Sequence, residues 1–196
     1  QPTVFEGTAT YGFMVNTEDS MRTLVEQLTM YANYHRDRRN IATHFVGIPM
    51  IVVSITALLS RPSFDVAGFA LTPLVVIATL SALFYLALDV RFGLLMVGVL
   101  VGAGALGMLV AAQSQAVWLA TSIGLFVVGW IIQFVGHYFE GKKPAFVDDL
   151  VGLLIGPLFV TAEIIFALGL RREVHDEIVR RAGPTVIRAS TRVTAI

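Results

Sequence analysis

Apolar residues dominate this chain from Phe45 to Leu170, and they come in unbroken runs rather than helical stripes. Five segments stand out: Phe45–Leu59, Val66–Leu88, Phe92–Ala112, Ala116–Gly136 and Leu150–Leu170. Between Phe45 and Gly136, 92 residues carry four charges, namely Arg61, Asp65, Asp89 and Arg91. A helix in water needs a polar face, and these segments have none, so the solvent around them is read as lipid. A span takes about 20 apolar residues. The first segment is marginal unless residues before Phe45 extend it, and the second is long enough despite Pro73. The third carries Gly93, Gly98, Gly102, Gly104 and Gly107, small residues that let helices pack closely in lipid and that would also suit a homodimer interface. The fifth is interrupted by Gly156-Pro157 and carries Glu163, which makes it a poor lipid-exposed span.

A different pattern precedes these runs. From Thr17 to His35 the residues Met21, Leu24, Val25, Leu28, Tyr31 and Ala32 recur at helical spacing, with Thr17 as the expected N-cap and Glu18 and Asp19 in the first turn. His35 continues that apolar stripe. Arg36-Asp37-Arg38-Arg39-Asn40 then breaks it, with Asn40 as the expected N-cap of the next helix. Residues 1–16 have no basic n-region or small-residue cleavage site, so no signal peptide is expected there. The tail beyond Gly183-Pro184 is expected to be loosely ordered.

Lys and Arg positions orient such a chain. If all five segments span, the basic residues divide seven to seven between the two sides. If the fifth segment dips in and returns, the division becomes thirteen to one, with Arg61 alone outside. The expected architecture is therefore an all-α integral membrane bundle of four transmembrane spans plus a re-entrant or interfacial fifth segment. A single membrane-embedded catalytic domain would cover 17–170, after an N-terminal segment 1–16 and before a cytoplasmic helix and tail at 171–196. Both termini would face the cytoplasm, in a bacterial inner membrane or, in a eukaryote, the endoplasmic reticulum.

Composition narrows the chemistry. The chain has 196 residues, 56% hydrophobic and 14% charged, with zero formal net charge and no cysteine. Disulfides, thiolate metal sites and cysteine nucleophiles are excluded. Nothing in the charge suggests a nucleic-acid partner. No P-loop, nucleotide fingerprint, serine elbow or His-Glu-x-x-His is present, and Gly102 to Gly107 lies in an apolar run where packing is the better reading. Tyr31, Tyr34, Tyr85, Tyr138 and the two tryptophans read as interface anchors.

Three of the four histidines, His35, His44 and His137, fall at one membrane boundary; His175 lies in a charged, solvated stretch. His35 and His44 are nine residues apart, two and a half turns of a straight helix, so they can meet only if the chain bends at Arg36–Asn40. Gln133, His137 and Glu140 form one stripe at the end of the fourth span. A histidine and a carboxylate so spaced can reach one cation, and imidazole with carboxylate suits Fe(II), Zn or Mn. A boundary histidine is also commonly a simple hydrogen-bonding residue. A zinc-dependent lipid hydrolase or transferase, and a non-catalytic lipid-binding scaffold, remain open at this point. Glu163 is expected to pair with a boundary arginine or to lie near the site.

Two stretches carry a resemblance. One is YANYHRDRRNIATHFVGIP, from Tyr31 to Pro49. The other is WIIQFVGHYFEGKKPA, from Trp130 to Ala145, continuing through Asp148-Asp149-Leu150 to Pro157-Leu158-Phe159 and Glu163. Together they resemble the membrane family of metal-dependent 2-hydroxy fatty acid dioxygenases, over roughly Tyr31 to Leu170. The resemblance implies Fe(II)-dependent α-oxidation, which shortens a 2-hydroxy fatty acid by one carbon with O₂ as oxidant and release of CO₂. It implies His35, His44 and His137 as metal ligands and catalytic residues, and Glu140, the motif's acid, as a further metal ligand, one residue closer to its histidine than in the fungal pattern. Zn²⁺ is the alternative metal. Tyr31, Asn40, Gln133, Arg36, Lys143, Asp148 and Glu163 are the candidates to support the site or bind substrate. The 2-hydroxy acid supplies all four electrons for O₂, so no 2-oxoglutarate, flavin or nicotinamide is expected.

Overall fold

The computed structural model describes residues 23–147 and 151–187. The expected cap at Thr17, segment 1–16, Asp148 and the end of the tail lie outside these residues. Among them the chain forms seven α-helices and one small hairpin.

Helix α1 (Leu24–Ala32) starts at Thr23, whose Oγ1 accepts from the Glu26 amide at 3.3 Å while the Glu26 carboxylate accepts from the Thr23 amide at 2.8 Å. This reciprocal cap satisfies two otherwise orphaned donors. The helix stops at Ala32, not at His35 as the stripe suggested. Tyr34 and His35 donate their amides to Tyr31 and Ala32, a tight turn that redirects the chain. Helix α2 (Arg38–Ser60) follows at once. Its N-cap is Asp37, whose carboxylate accepts from the Arg39 amide, and not the expected Asn40, which sits in the first turn. The early start gives the first span 23 residues and removes its marginality.

The second apolar run is divided. Phe64–Val66 (β1) and Phe69–Leu71 (β2) pair as an antiparallel hairpin, turned by Ala67 and Gly68 with φ of 54° and 83°. Two successive positive φ values match the right-handed twist of the strands. Only Pro73–Leu88 remains as α3, with Thr72 as cap and Pro73 in the first turn, where its missing N–H costs nothing. Its 16 residues are about 24 Å long, short of a hydrocarbon core of about 30 Å. The expected full-length span over Val66–Leu88 is corrected accordingly.

Helices α4 (Val90–Ala111) and α5 (Gln115–Glu140) are both long and apolar enough to cross a membrane, as is α2. Helix α6 (Gly152–Ala167) meets α7 (Arg172–Ala182) at a 115° bend. The contacts of α6 gather at the end of the bundle that holds His35. Tyr85 donates its hydroxyl to the Leu154 carbonyl at 2.7 Å, Phe166 packs edge-on to Phe92, and Arg171 grips Asp89 between α3 and α4. Helix α6 runs through Gly156-Pro157 without the interruption expected there, and the bend comes after it, between Ala167 and Arg172; a bent pair of this kind is compatible with a broken span or a re-entrant fifth segment. The whole is an all-α membrane bundle.

The core is concentrated at this same end. Leu24, Leu28, Ile41, Tyr85, Phe92, Leu158, Phe159, Val174 and Ile178 form one buried cluster, so α7 packs into the same core as α1. Farther along the long helices, apolar residues such as Leu80, Val101, Leu109 and Ile123 are exposed, as lipid-facing positions would be. Helix α2 is central and packs on α4 and α5 through glycines. A Cβ on Gly107 would lie 2.5 Å from Thr56 Oγ1, and one on Gly136 only 2.0 Å from Thr43 Oγ1. Gly98 and Gly102 have nothing within 4 Å.

Candidate metal centre

The turn between α1 and α2 performs the bend that the spacing of His35 and His44 demanded. His35 leaves the turn and His44 points from the second turn of α2, while His137 comes from the last turn of α5. Each is buried, and one ring nitrogen from each falls within 4.8 Å of the others. Among the described residues this is the group of side chains fit to hold a metal ion.

Protonation follows from the partners. His35 Nδ1 lies 2.7 Å from the Tyr31 carbonyl oxygen, and His44 Nδ1 lies 2.8 Å from that of Asn40. A carbonyl only accepts, so both Nδ1 atoms carry the proton. Both Nε2 atoms are then bare, and they face each other at 2.9 Å. Two lone pairs so placed repel unless a cation lies beside them. Burial, reinforced by His44, His137 and Arg36, holds His35 well below the usual imidazole range, which disfavours a shared proton. His137 Nδ1 is buried with no hydrogen-bond partner. Backbone carbonyls fix the far nitrogen of His35 and of His44, the usual support of a metal-bound imidazole. The donor set therefore fits a metal ion, with nitrogen ligands suited to Fe, Zn or Mn.

Around the histidines, Tyr31 stacks on His35 with ring centroids 4.1 Å apart and planes within 4°. Phe159 of α6 packs on both rings at 5.0 and 5.5 Å.

Glu140 is buried beside the cluster and bonded to the turn. Its Oε2 accepts from the backbone amides of Arg36 at 2.9 Å and Asp37 at 2.7 Å, and from Asn40 Nδ2 at 3.2 Å. It clamps the turn that carries His35 to the end of α5, and it is not in the cluster of three. Asn40 ties the same knot from the other side, donating also to the Tyr34 carbonyl at 3.1 Å.

The basic residues lie off the histidine cluster. The Arg36 guanidinium is buried against the carbonyls of Ala32, His35 and Gly183. Burial pushes it down, and the nearby Glu163 and Glu140 carboxylates push it back up. Glu163 lies near enough to Arg36 to act on its charge, without an ion pair between them. Lys143 is exposed, and His175 is half exposed against Phe166.

Two elements escaped the sequence reading. Asp37 is fully buried and pairs with Arg39 at 2.8 Å. Beyond α7, the Val186 amide donates to the Arg36 carbonyl at 2.8 Å and the Arg38 amide to the Val186 carbonyl at 2.9 Å, strapping the tail across the turn. Asp37 carried a signal as an acid before a helix; the strap is made of backbone and carried none.

A cavity of about 240 Å³ begins at this site. Tyr31, His44, Gln133 and His137 line its head, and Ile48, Ile51, Ile55 and Phe126 line its length, with Gly152, Leu153, Gly156 and Pro157 closing one side. From His44 to Ile55 it follows α2 for about 16 Å. Ile55, Phe126 and Leu153 are also exposed on the outside of the bundle, so the groove is open along its flank.

A family description reading "2-hydroxy-palmitic acid dioxygenase Mpo1-like" matches residues 21–168. The chain belongs to the Mpo1-like family. A curated relative, the 2-hydroxy-palmitic acid dioxygenase MPO1 of Saccharomyces cerevisiae, is 35% identical over 148 residues, covering 74% of this chain and 82% of the yeast protein. No solved structure matches. The Mpo1-like match takes in α1 to α6, and with them all three histidines, Glu140 and the groove. The family is one of dioxygenases, in agreement with the resemblance of the two motifs.

Proposed function

We propose that this chain is an Fe(II)-dependent dioxygenase that converts a 2-hydroxy fatty acid to the fatty acid one carbon shorter. The observation that carries this reading is the pair of unprotonated Nε2 atoms of His35 and His44, beside His137, at the head of an apolar groove. The reaction R-CH(OH)-COOH + O₂ → R-COOH + CO₂ + H₂O balances with the substrate as sole reductant. An iron ion held by His35, His44 and His137 would supply the redox centre for O₂ and the Lewis acidity for the acid's head group.

The chain's own residues have separate tasks. Tyr31 and Phe159 wall the histidines and exclude water. Asn40 and Tyr31 fix ligand tautomers through their carbonyls. Glu140 and Asn40 hold the His35 turn against α5. The groove along Ile48, Ile51 and Ile55 takes the acyl chain and receives it from the bilayer through its open flank. Arg36 and Glu163 belong to the shell around the site, and Lys143 attracts the acid to it. The sidedness of Lys and Arg supports a cytoplasmic site, in the bacterial inner membrane for a bacterial chain.

The test is metal analysis of protein purified anaerobically without chelator, followed by oxygen uptake with 2-hydroxypalmitate. About one iron per chain and stoichiometric release of CO₂ are expected. Iron-loaded protein that neither binds nor oxidises 2-hydroxy acids would sink the reading. Zinc with oxygen-independent turnover would put a hydrolase or transferase in its place.

A further inference from the structure

The head of the groove holds a carboxamide that the metal site does not use. Gln133 lies one turn before His137 on the same face of α5 and is 4% exposed. Its Oε1 is buried without a hydrogen-bond partner, and the residue lines the cavity. The carboxamide is wedged against α2 at Gly47, where a Cβ would come within 3.1 Å of Nε2. The glycine leaves room for the amide just below His44, so the group is positioned by both helices. A desolvated carbonyl oxygen with no donor is costly, and native proteins rarely keep one unless something comes to meet it.

The chemistry of the missing donor is specific. An ionised 2-hydroxy acid has one hydrogen-bond donor, the hydroxyl on C2; an unsubstituted fatty acid has none. The other polar groups at the head are imidazoles committed to the metal and the Tyr31 phenol, which can turn its own proton away. We propose that Gln133 determines specificity for the 2-hydroxyl group, its Oε1 accepting the hydroxyl proton while the acyl chain lies along α2. This rests on the proposed function for the substrate class and adds the residue that separates 2-hydroxy acids from plain ones. A site built to bond a hydroxyl rejects the analogue lacking it, because its own polar group is left unpaired.

Trp130 lines the same groove and is a built-in reporter, while Trp118 is held elsewhere by the Ala57 carbonyl and Arg61. In a Trp118→Phe background, the full-length protein in lipid nanodiscs is titrated with 2-hydroxypalmitate and with palmitate, both metal-free and iron-loaded. Wild-type Gln133 is expected to favour the hydroxy acid by about tenfold, the scale of one net hydrogen bond. Gln133→Leu and Gln133→Met, which keep the volume and remove the amide, should bring that ratio to about one. Metal content and palmitate affinity should stay as they were. A merely structural glutamine would weaken both ligands together. A ratio near one in wild type, or an unchanged ratio in both variants, overturns the proposal. Preference lost in the variants without oxygen uptake in wild type would sink the dioxygenase reading and leave this one standing. Oxygen uptake with an unchanged ratio would do the reverse.

Discussion

His35 and His44 present bare Nε2 atoms to each other at 2.9 Å, each imidazole having its Nδ1 proton fixed by a backbone carbonyl four residues earlier. The metal-free protein therefore carries a repulsion that a divalent ion removes. A ligand that binds only the folded state stabilises it, by about 2.7 kcal/mol at a hundred times its Kd. Chelation should lower the thermal midpoint of the wild type, while His35→Ala, His44→Ala and His137→Ala should each lose most of the metal and the chelator response. A variant pair that still binds one equivalent would remove the assigned site.

Glu140 separates two roles cleanly. As a clamp, its carboxylate is needed as an acceptor for the amides of Arg36 and Asp37, so Glu140→Ala should cost about 3 kcal/mol and reduce metal affinity about tenfold or more through the displaced turn. Glu140→Gln keeps an acceptor oxygen and should retain the metal with a milder loss of stability. Loss of metal in Glu140→Gln with an unchanged melting profile would make Glu140 a ligand instead.

Gly136 is the contact point of α5 on α2. A Cβ there would run into Thr43 Oγ1, which itself bonds the Asn40 carbonyl that also fixes His44. Gly136→Ala must push the helices apart or break that bond. A loss of about 1–3 kcal/mol is expected, with weakened metal binding, because His44 and His137 sit on opposite sides of the same contact. Isothermal unfolding with parallel metal titration checks both. Gly98→Ala, with open space around it, is the control and should be neutral in both.

Asp89 provides a pH dependence. Burial pushes its carboxyl up, but bonds from Arg171, at 3.1 and 3.0 Å, and from the Phe92 amide outweigh it, and the pKa ends below the usual range. A depressed carboxyl adds stability above its unfolded pKa and loses it as pH falls through the folded one. Stability should thus drop below about pH 4 by about 1 kcal/mol from this group. Asp89→Asn should flatten that part of the acid limb of a melting-temperature profile; an unchanged limb would show the pair contributes nothing.

The strap at Val186 is checked by hydrogen exchange. The Arg38 amide is bonded to the Val186 carbonyl and should be protected in the whole chain. Deleting residues 184–196 should expose it and weaken metal retention by loosening the turn before His44.

Much of this arrangement was legible in the residues. The runs of apolar positions marked the spans, the charged break at Arg36–Asn40 marked the bend, and the two motifs carried the three histidines. The shortfalls have physical reasons. The hairpin at Phe64–Leu71 is hidden inside an apolar run, because Val66 and Phe69 serve a strand as well as a lipid-facing helix and only Ala67-Gly68 hints at a turn. Asp37 and Asn40 are both good caps, so residue type alone could not choose between them. The spacing of His137 and Glu140 placed both on one face, but not which of them would reach inward and which would bend back to the amides of another helix.

The open flank of the groove, with Ile55, Phe126 and Leu153 on its outer wall, changes what concentration means for this protein. A ligand that enters from the bilayer is counted as a mole fraction of lipid, not as moles per litre of water. Adding inert lipid or detergent at constant total substrate should then slow the protein by dilution in two dimensions, and saturation curves will coincide only when plotted against surface density.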